Sequence, residues 1–474
     1  MIQRRLRLRD TTGAAPVLDD VFAAIRGELG LPDRFPREVE QAAADAVREP
    51  RLPERDLSDL PFFTLDPPGS MDLDQAMHLE PTRDGYRVRY AIADLTAFVE
   101  PGGVIDLEAR RRGQTLYSPD TRTPLHPTSI SEDAGSLLPN QLRPAYVWDL
   151  ALDREGELRS ADVGRAMVRS VERLDEESAA ALAAQGDPRM SLLREIGQHR
   201  LRLEAERGGA SLPMPEQEVV RVDDHYDLRL RPPSAISDWN AQISLMTGMA
   251  AADIMLAGQV GILRTMPPPS HHALARYRRQ AQALGTRWPA EQQYGAFLRA
   301  LDRDEPRELA LIHEAASLFR GAGYTPFDGD VPAVTEHAAV ADQYAHVTAP
   351  LRRLVDRFGL VVSAALCQDE PVPAWVREAL ESLPGLMNAS DQLGNRLDHA
   401  CTDAVEAAVL APRVGEAFEG VVVDLRDKGP GGIVQLRQPP VLAPVSGDVQ
   451  LGATLRVRLV AADVGGRRVE FTPV

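Results

Sequence analysis

Phe62-Phe63-Thr64-Leu65-Asp66-Pro67-Pro68-Gly69-Ser70-Met71-Asp72-Leu73-Asp74-Gln75 sets three carboxylates within nine residues beside a short apolar run. Phe62 to Leu65 read as a buried strand and Pro67-Pro68-Gly69 as a turn, while Asp72 and Asp74, two apart, project from one face of an extended segment. Two acids on one face, with a third returning across the turn, can surround one or two hard cations. An all-oxygen donor set without His or Cys favours magnesium, with manganese as its substitute, over zinc. The plain alternative is that aspartates in a turn cap their own backbone. Against it, clustered carboxylates beside an apolar flank repel one another unless a cation or a base intervenes.

Composition narrows the setting. A chain of 474 residues, 44% hydrophobic and 26% charged, reads as globular, with length for two to four domains. A net charge of -17 and a pI near 5.1 argue against a general polyanion binder, so any nucleic-acid channel is expected as a local basic strip. Lys428 is the only lysine, so that strip must be built of arginine. Two cysteines, Cys367 and Cys401, in helix-like surroundings give neither a disulfide framework nor zinc spacing, and a reducing cytoplasm is expected. Met1-Ile2-Gln3-Arg4-Arg5 lacks an apolar leader and no apolar run reaches about 18 residues, so no membrane association is expected.

Along the chain three parts are expected. Residues 1–55 read as a small helical unit: Arg4, Arg5, Arg7 and Arg9 alternate with Leu6 and Leu8 as a strand or basic arm, followed by helix-like Val17 to Leu29 and Arg37 to Val47 around Leu31-Pro32-Asp33. The pair has the form of a helix-turn-helix or of a helical cap on the next domain. Residues 56–411 turn first to strands, with Tyr86 to Asp94, Tyr146 to Leu152 and Gly164 to Arg169. Helical periodicity then dominates residues 175–208, Ile236 to Leu263, His271 to Leu284, Ala290 to Leu301, Arg307 to Phe319, Leu351 to Cys367 and Pro373 to Leu410. In residues 412–474 about five short strands between Gly, Pro and Asp turns suit an RNA-binding OB barrel. The fold class expected is α+β multidomain: a catalytic sheet covered by helices, a C-terminal OB barrel and the small N-terminal unit.

Five blocks stand in order: Leu65 to Ala76; Tyr90-Ala91-Ile92-Ala93-Asp94; Arg112-Gly113-Gln114-Thr115-Leu116-Tyr117-Ser118-Pro119-Asp120; Leu137-Leu138-Pro139-Asn140-Gln141-Leu142-Arg143-Pro144; and Tyr344-Ala345-His346-Val347-Thr348-Ala349-Pro350-Leu351-Arg352-Arg353. Together they resemble the ribonuclease II (RNB) family over residues 60–411 and the terminal barrel. The resemblance implies a processive 3′-to-5′ exoribonuclease that threads single-stranded RNA down a narrow channel and releases nucleoside 5′-monophosphates. It places Asp66, Asp72 and Asp74 on the family's metal and catalytic carboxylates, Tyr117 on its base-stacking tyrosine and Arg352 on its catalytic arginine. Arg112 and Arg353, beside those motif residues, are expected at the RNA. Two magnesium ions about 4 Å apart turn water into hydroxide and clamp the attacking and leaving oxygens of an in-line displacement at phosphorus. An arginine fork stabilises the developing charge, and a tyrosine ring stacks any base.

The chain also departs from the family pattern. Where the family has a fourth aspartate stands Gln75, a neutral oxygen donor, and where it commonly has Glu-Arg in the late helix stand Asp398-His399, expected at the RNA backbone or the metal water. Only about 55 residues precede the catalytic block, too few for the family's two cold-shock barrels, which implies a wider clamp. Two function classes follow: the exoribonuclease, expected as a monomer, and a degenerate relative that binds RNA without cutting, as regulator or scaffold. Five intact motif residues favour the first.

Overall fold

The computed structural model describes residues 6–9, 16–210, 216–222, 225–231, 234–302, 305–426 and 429–474; the expected basic residues Arg4, Arg5 and Lys428 lie outside them. After a short strand, β1 (Leu6–Arg9), come α1 (Pro16–Glu28) and α2 (Arg37–Arg48), where the apolar spacing puts them. Leu18, Phe22 and Ile25 recur at i, i+4 and i+7 and are all buried, giving α1 one apolar stripe.

Next come β2 (Phe62–Leu65), β3 (Gln75–Thr82) and β4 (Gly85–Ala93), then α3 (Val104–Arg112) and a hairpin of β5 (Leu116–Tyr117) with β6 (Arg122–Thr123), then β7 (Leu142–Asp153) and β8 (Leu158–Leu174). The expected sheet closes on itself as a barrel in the order β2-β3-β4-β7-β8, through parallel pairing of β2 with β8. Closure leaves no free edge. Period two sorts the wall: Tyr90 and Ile92 enter one buried cluster with Trp148, and Ala91 and Ala93 enter another with Leu73.

Helices α4 (Glu176–Ala184) and α5 (Pro188–Arg207) lead to β9 (Glu216–Val222) and β10 (His225–Arg231), a hairpin in the stretch that periodicity leaves unassigned. β1 adds to it in parallel, so the N-terminal strand is sewn into the middle of the chain. α6 (Ala235–Ala257) follows, and here the structure corrects the expected helix over Ile236 to Leu263. The helix ends at Ala257, Gln259 turns the chain at φ 55°, and residues 260–263 belong to β11 (Val260–Thr265). Every residue of β11 is buried, so it lacks the alternation that marks a strand and its apolar run reads as more helix.

The remaining helices are α7 (His271–Ala283), α8 (Tyr294–Arg299), α9 (Pro306–Ala315), α10 (Leu354–Cys367), α11 (Ala374–Leu380) and α12 (Leu383–Leu410). Before α10 lie β12 (Gly323–Asp328), which pairs with β11, and the short pair β13 (Glu336–His337) and β14 (Asp342–Gln343). β15 (Ala417–Leu425), β16 (Gly432–Leu436), β17 (Leu442–Val445), β18 (Thr454–Asp463) and β19 (Arg468–Pro473) close the second barrel, the five strands expected. Phe418, Val434 and Phe471 join α1 and α12 in one core, and His313 of α9 meets Gln435 at 3.1 Å, so this barrel is docked rather than tethered. Among the described residues no helix is long and apolar enough to cross a membrane.

Candidate active site

The acidic loop leaves β2 at Leu65, turns at Pro67-Pro68-Gly69 and enters β3 at Gln75. Gly69 takes φ 79°, a left-handed turn that residues with a Cβ avoid. Leu73 anchors the loop: its side chain is fully buried, its N–H donates to Ser136 Oγ (2.9 Å), and its carbonyl accepts from Leu137 N–H (3.0 Å). With Leu73 held in the core, its neighbours Asp72 and Asp74 are left for the opposite side.

Asp74 lies deepest, 4% exposed. Its Oδ1 accepts from the backbone N–H of Leu351 (2.7 Å), and its Oδ2 lies 3.5 Å from Arg352 Nε. Burial raises its carboxyl well above the usual range, opposed by the Arg352 charge. Asp66 is pushed up to about 7, again chiefly by burial, with Asp72 adding repulsion and Arg352 and Arg173 opposing; its Oδ2 is sealed from solvent without a hydrogen-bond partner. Asp72 faces the hairpin: its Oδ2 accepts from Tyr117 Oη (3.1 Å) and its Oδ1 from Arg122 (3.2 Å), which also holds Glu132.

Three distant blocks are joined by hydrogen bonds to backbone carbonyls. Thr115 N–H donates to Arg352 O (2.9 Å), Leu354 N–H to Gly113 O (3.0 Å), and Gln75 Nε2 to Thr348 O (2.5 Å). Gly113 ends α3 at φ 71°, with a position where a Cβ would stand 2.6 Å from Ser390 of α12; no other residue fits there. The result brings Asp66, Asp72, Asp74, Tyr117 and Arg352 to one place. Tyr117 is 50% exposed and Arg352 is partly exposed, so a ring and a guanidinium face solvent over buried carboxylates.

Arg112, expected at the RNA, is a brace: its guanidinium donates to Glu108 (2.9 Å), Pro124 O (3.0 Å) and Arg34 O (3.1 Å) and lies 3.7 Å over the Phe35 ring, with the side chain 5% exposed. Three of its N–H donors are thus taken by the protein itself. Arg353 forms a two-pronged pair with Asp356 (2.8 and 3.0 Å), whose Oδ1 also accepts from Ala349 N–H (2.6 Å), so it stiffens the loop that carries Arg352. The amide nitrogen of Gln75 is engaged with Thr348, leaving its oxygen as the group able to meet a cation. Asp398 and His399 lie on α12, with His399 exposed. Arg122, Asp356 and Arg173 were not legible in the sequence. Their roles arise from the β5–β6 hairpin, the start of α10 and the contact of Arg173 with Ser70 O (2.9 Å).

Among the described residues no group of three or more His, Cys, Asp or Glu side chains stands ready around one ion position. Asp72 is engaged with Arg122 and Tyr117 instead. The donor set still fits a hard divalent cation in kind. It has carboxylate oxygens, one of them buried and orphaned, and two acids whose ionisation the protein opposes.

A family model described as the RNB domain matches residues 54–364, and one described as the RNase II-type exonuclease C-terminal S1 domain matches residues 416–474. The chain belongs to the RNB family. Among similar proteins, Ribonuclease R of Aquifex aeolicus (strain VF5) is 25% identical, covering 96% of this chain and 70% of its own length; Ribonuclease R of Escherichia coli (strain K12) is 25% identical, covering 93% and 60%. The chain thus spans about two thirds of the length of these relatives. In fold it is similar to the apo form of Mycoplasma genitalium RNase R (TM-score 0.86, 18% identity, 98% of this chain and 79% of that one). It is also similar to yeast Ssd1, a pseudonuclease (TM-score 0.70, 17% identity, 95% and 57%). A nuclease and a pseudonuclease share this fold, so activity must be argued from the site.

Proposed function

We propose that this chain is a processive 3′-to-5′ exoribonuclease that hydrolyses single-stranded RNA to nucleoside 5′-monophosphates. The supporting observation is the convergence of Asp66, Asp72, Asp74, Arg352 and Tyr117, drawn from three sequence blocks, at one partly open place. Asp66, Asp72 and Asp74, with the Gln75 oxygen beside them, would hold Mg2+ or Mn2+, which supplies a water of lowered pKa and charge stabilisation at phosphorus. Arg352, oriented by Asp74 Oδ2, is aimed to meet non-bridging phosphate oxygens as charge develops. Tyr117 offers its ring to the terminal base while its hydroxyl is held by Asp72, so base position and carboxylate position are linked. For Asp72 to hold a cation it would have to release Arg122, which would keep Glu132 as its partner.

A second reading, an RNB protein that binds RNA without cutting, is favoured by the Asp72–Arg122 pair, which neutralises one expected ligand, and by Gln75. Labelled single-stranded RNA incubated with the protein and magnesium separates the two. The first predicts mononucleotide from the earliest times, abolished by Asp74→Asn with RNA affinity kept or tightened, because the substitution removes charge repulsion with phosphate. Intact RNA with the parent protein, or wild-type turnover in the variant, refutes it.

A further inference from the structure

The N-terminal helix α1 reaches the site through one side chain. Arg26 Nη1 donates to both carboxylate oxygens of Asp120 (2.7 and 2.9 Å) and to Ser118 Oγ (3.0 Å), at the turn of the β5–β6 hairpin that bears Tyr117. The side chains of Arg26 and Asp120 are 15% and 17% exposed although Asp120 as a residue lies at the surface, so the two charged ends are partly covered in an otherwise open turn. Leu116, the residue before Tyr117, is buried in the cluster that holds Leu18, Phe22 and Ile25 of α1 and Leu397 of α12. On its other strand the hairpin is held by Arg122, which bonds Asp72 and Glu132. A two-stranded hairpin of this length has little stability of its own. Its position is therefore set by what grips it.

We infer that Arg26 is a positioning residue: through Asp120 and Ser118 it fixes the hairpin, and so the height of the Tyr117 ring above the carboxylates, at which the RNA 3′ end stops. The neighbouring Glu28 is held by Arg467 of the β18–β19 turn at 2.7 Å, so the same helix ties this hairpin to the C-terminal barrel. The N-terminal unit thereby acts on the last nucleotides of the substrate rather than only on its capture. The inference rests on the stacking role proposed for Tyr117.

The test uses the full chain with 5′-labelled single-stranded RNA and magnesium, resolving the final product ladder and separating kcat from KM for short oligonucleotides. Arg26→Ala, Asp120→Asn and the double variant are compared with Tyr117→Ala and with Arg26→Lys. Arg26→Ala and Asp120→Asn should each shift the final product as Tyr117→Ala does and lower kcat/KM on short substrates about tenfold, since a misplacement near 1 Å far from the chemistry has effects of that order or larger. The double variant should equal Arg26→Ala, which already removes the contacts to both Asp120 and Ser118, and Arg26→Lys should keep the parent ladder. A shifted ladder for Tyr117→Ala with parent ladders for Arg26→Ala and Asp120→Asn overturns this inference alone. An unmoved ladder for Tyr117→Ala overturns the stacking role and this inference with it. Loss of thermal stability with activity reduced equally on all lengths and no ladder shift assigns Arg26 to the fold only, and overturns it as well.

Discussion

Replacing Asp66 by asparagine should stabilise the chelated protein, and by an amount that grows with pH. The Asp66 carboxyl is raised from 3.8 to about 7, first by burial and then by Asp72. Between those values the folded chain binds the proton more tightly than the unfolded chain, so stability falls as pH rises through this window and levels off above it. At 1.36 kcal/mol per unit, the cost is about 1.5 kcal/mol near pH 5 and about 4 kcal/mol near pH 8. The residue keeps some exposure although its Oδ2 is sealed, so these are upper figures. Asparagine has the same shape and no charge. Denaturant unfolding in the presence of a chelator should show Asp66→Asn gaining roughly 2 to 3 kcal/mol more over the parent near pH 8 than near pH 5. Magnesium should then stabilise the parent, by favouring the ionised carboxylates, and do so far less for the variant. An equal difference at both pH values refutes the assignment of Asp66 to a buried, charge-deficient site. Equal magnesium stabilisation of both proteins refutes its role as a ligand.

Two further outcomes follow from other parts of the molecule. Arg437 and Arg456 flank Glu419 on the exposed surface of the second barrel; if both contact RNA phosphates, Arg437→Gln with Arg456→Gln should lower the slope of log affinity against log salt by about 1.4, at about 0.7 per single-strand contact. An unchanged slope in filter-binding titrations removes this surface from the RNA path. His126 is 1% exposed and pushed down to about 3, by burial first and Arg357 second. Its contribution is complete above about pH 6.5 and lost on acidification toward pH 3, by at most roughly 5 kcal/mol, so His126→Gln should flatten the acid side of the stability profile; a profile of unchanged steepness would exclude His126 as its source.

The sequence alone determined the elements that local physics governs. Phe62–Leu65 as a buried strand, α1 and α2 from apolar spacing, and the five strands after residue 412 are each marked by a period or by turn residues within a few positions. The acidic loop was equally legible, because three aspartates within nine residues need a chemical reason wherever they lie. What the sequence left open depends on partners far along the chain. The strand Val260–Thr265 reads as helix because burial on all sides erases its alternation, and only pairing with Gly323–Asp328 decides it. Arg112 and Arg353 lie inside the right blocks, yet Glu108, Pro124, Arg34 and Asp356 engage part of each guanidinium, which no spacing rule states. Arg26 and Asp120, 94 residues apart, meet only because α1 and the β5–β6 hairpin share one core. Residue types and periods are local quantities, whereas the free donors and acceptors of a site are what remains after the whole chain has paired the rest.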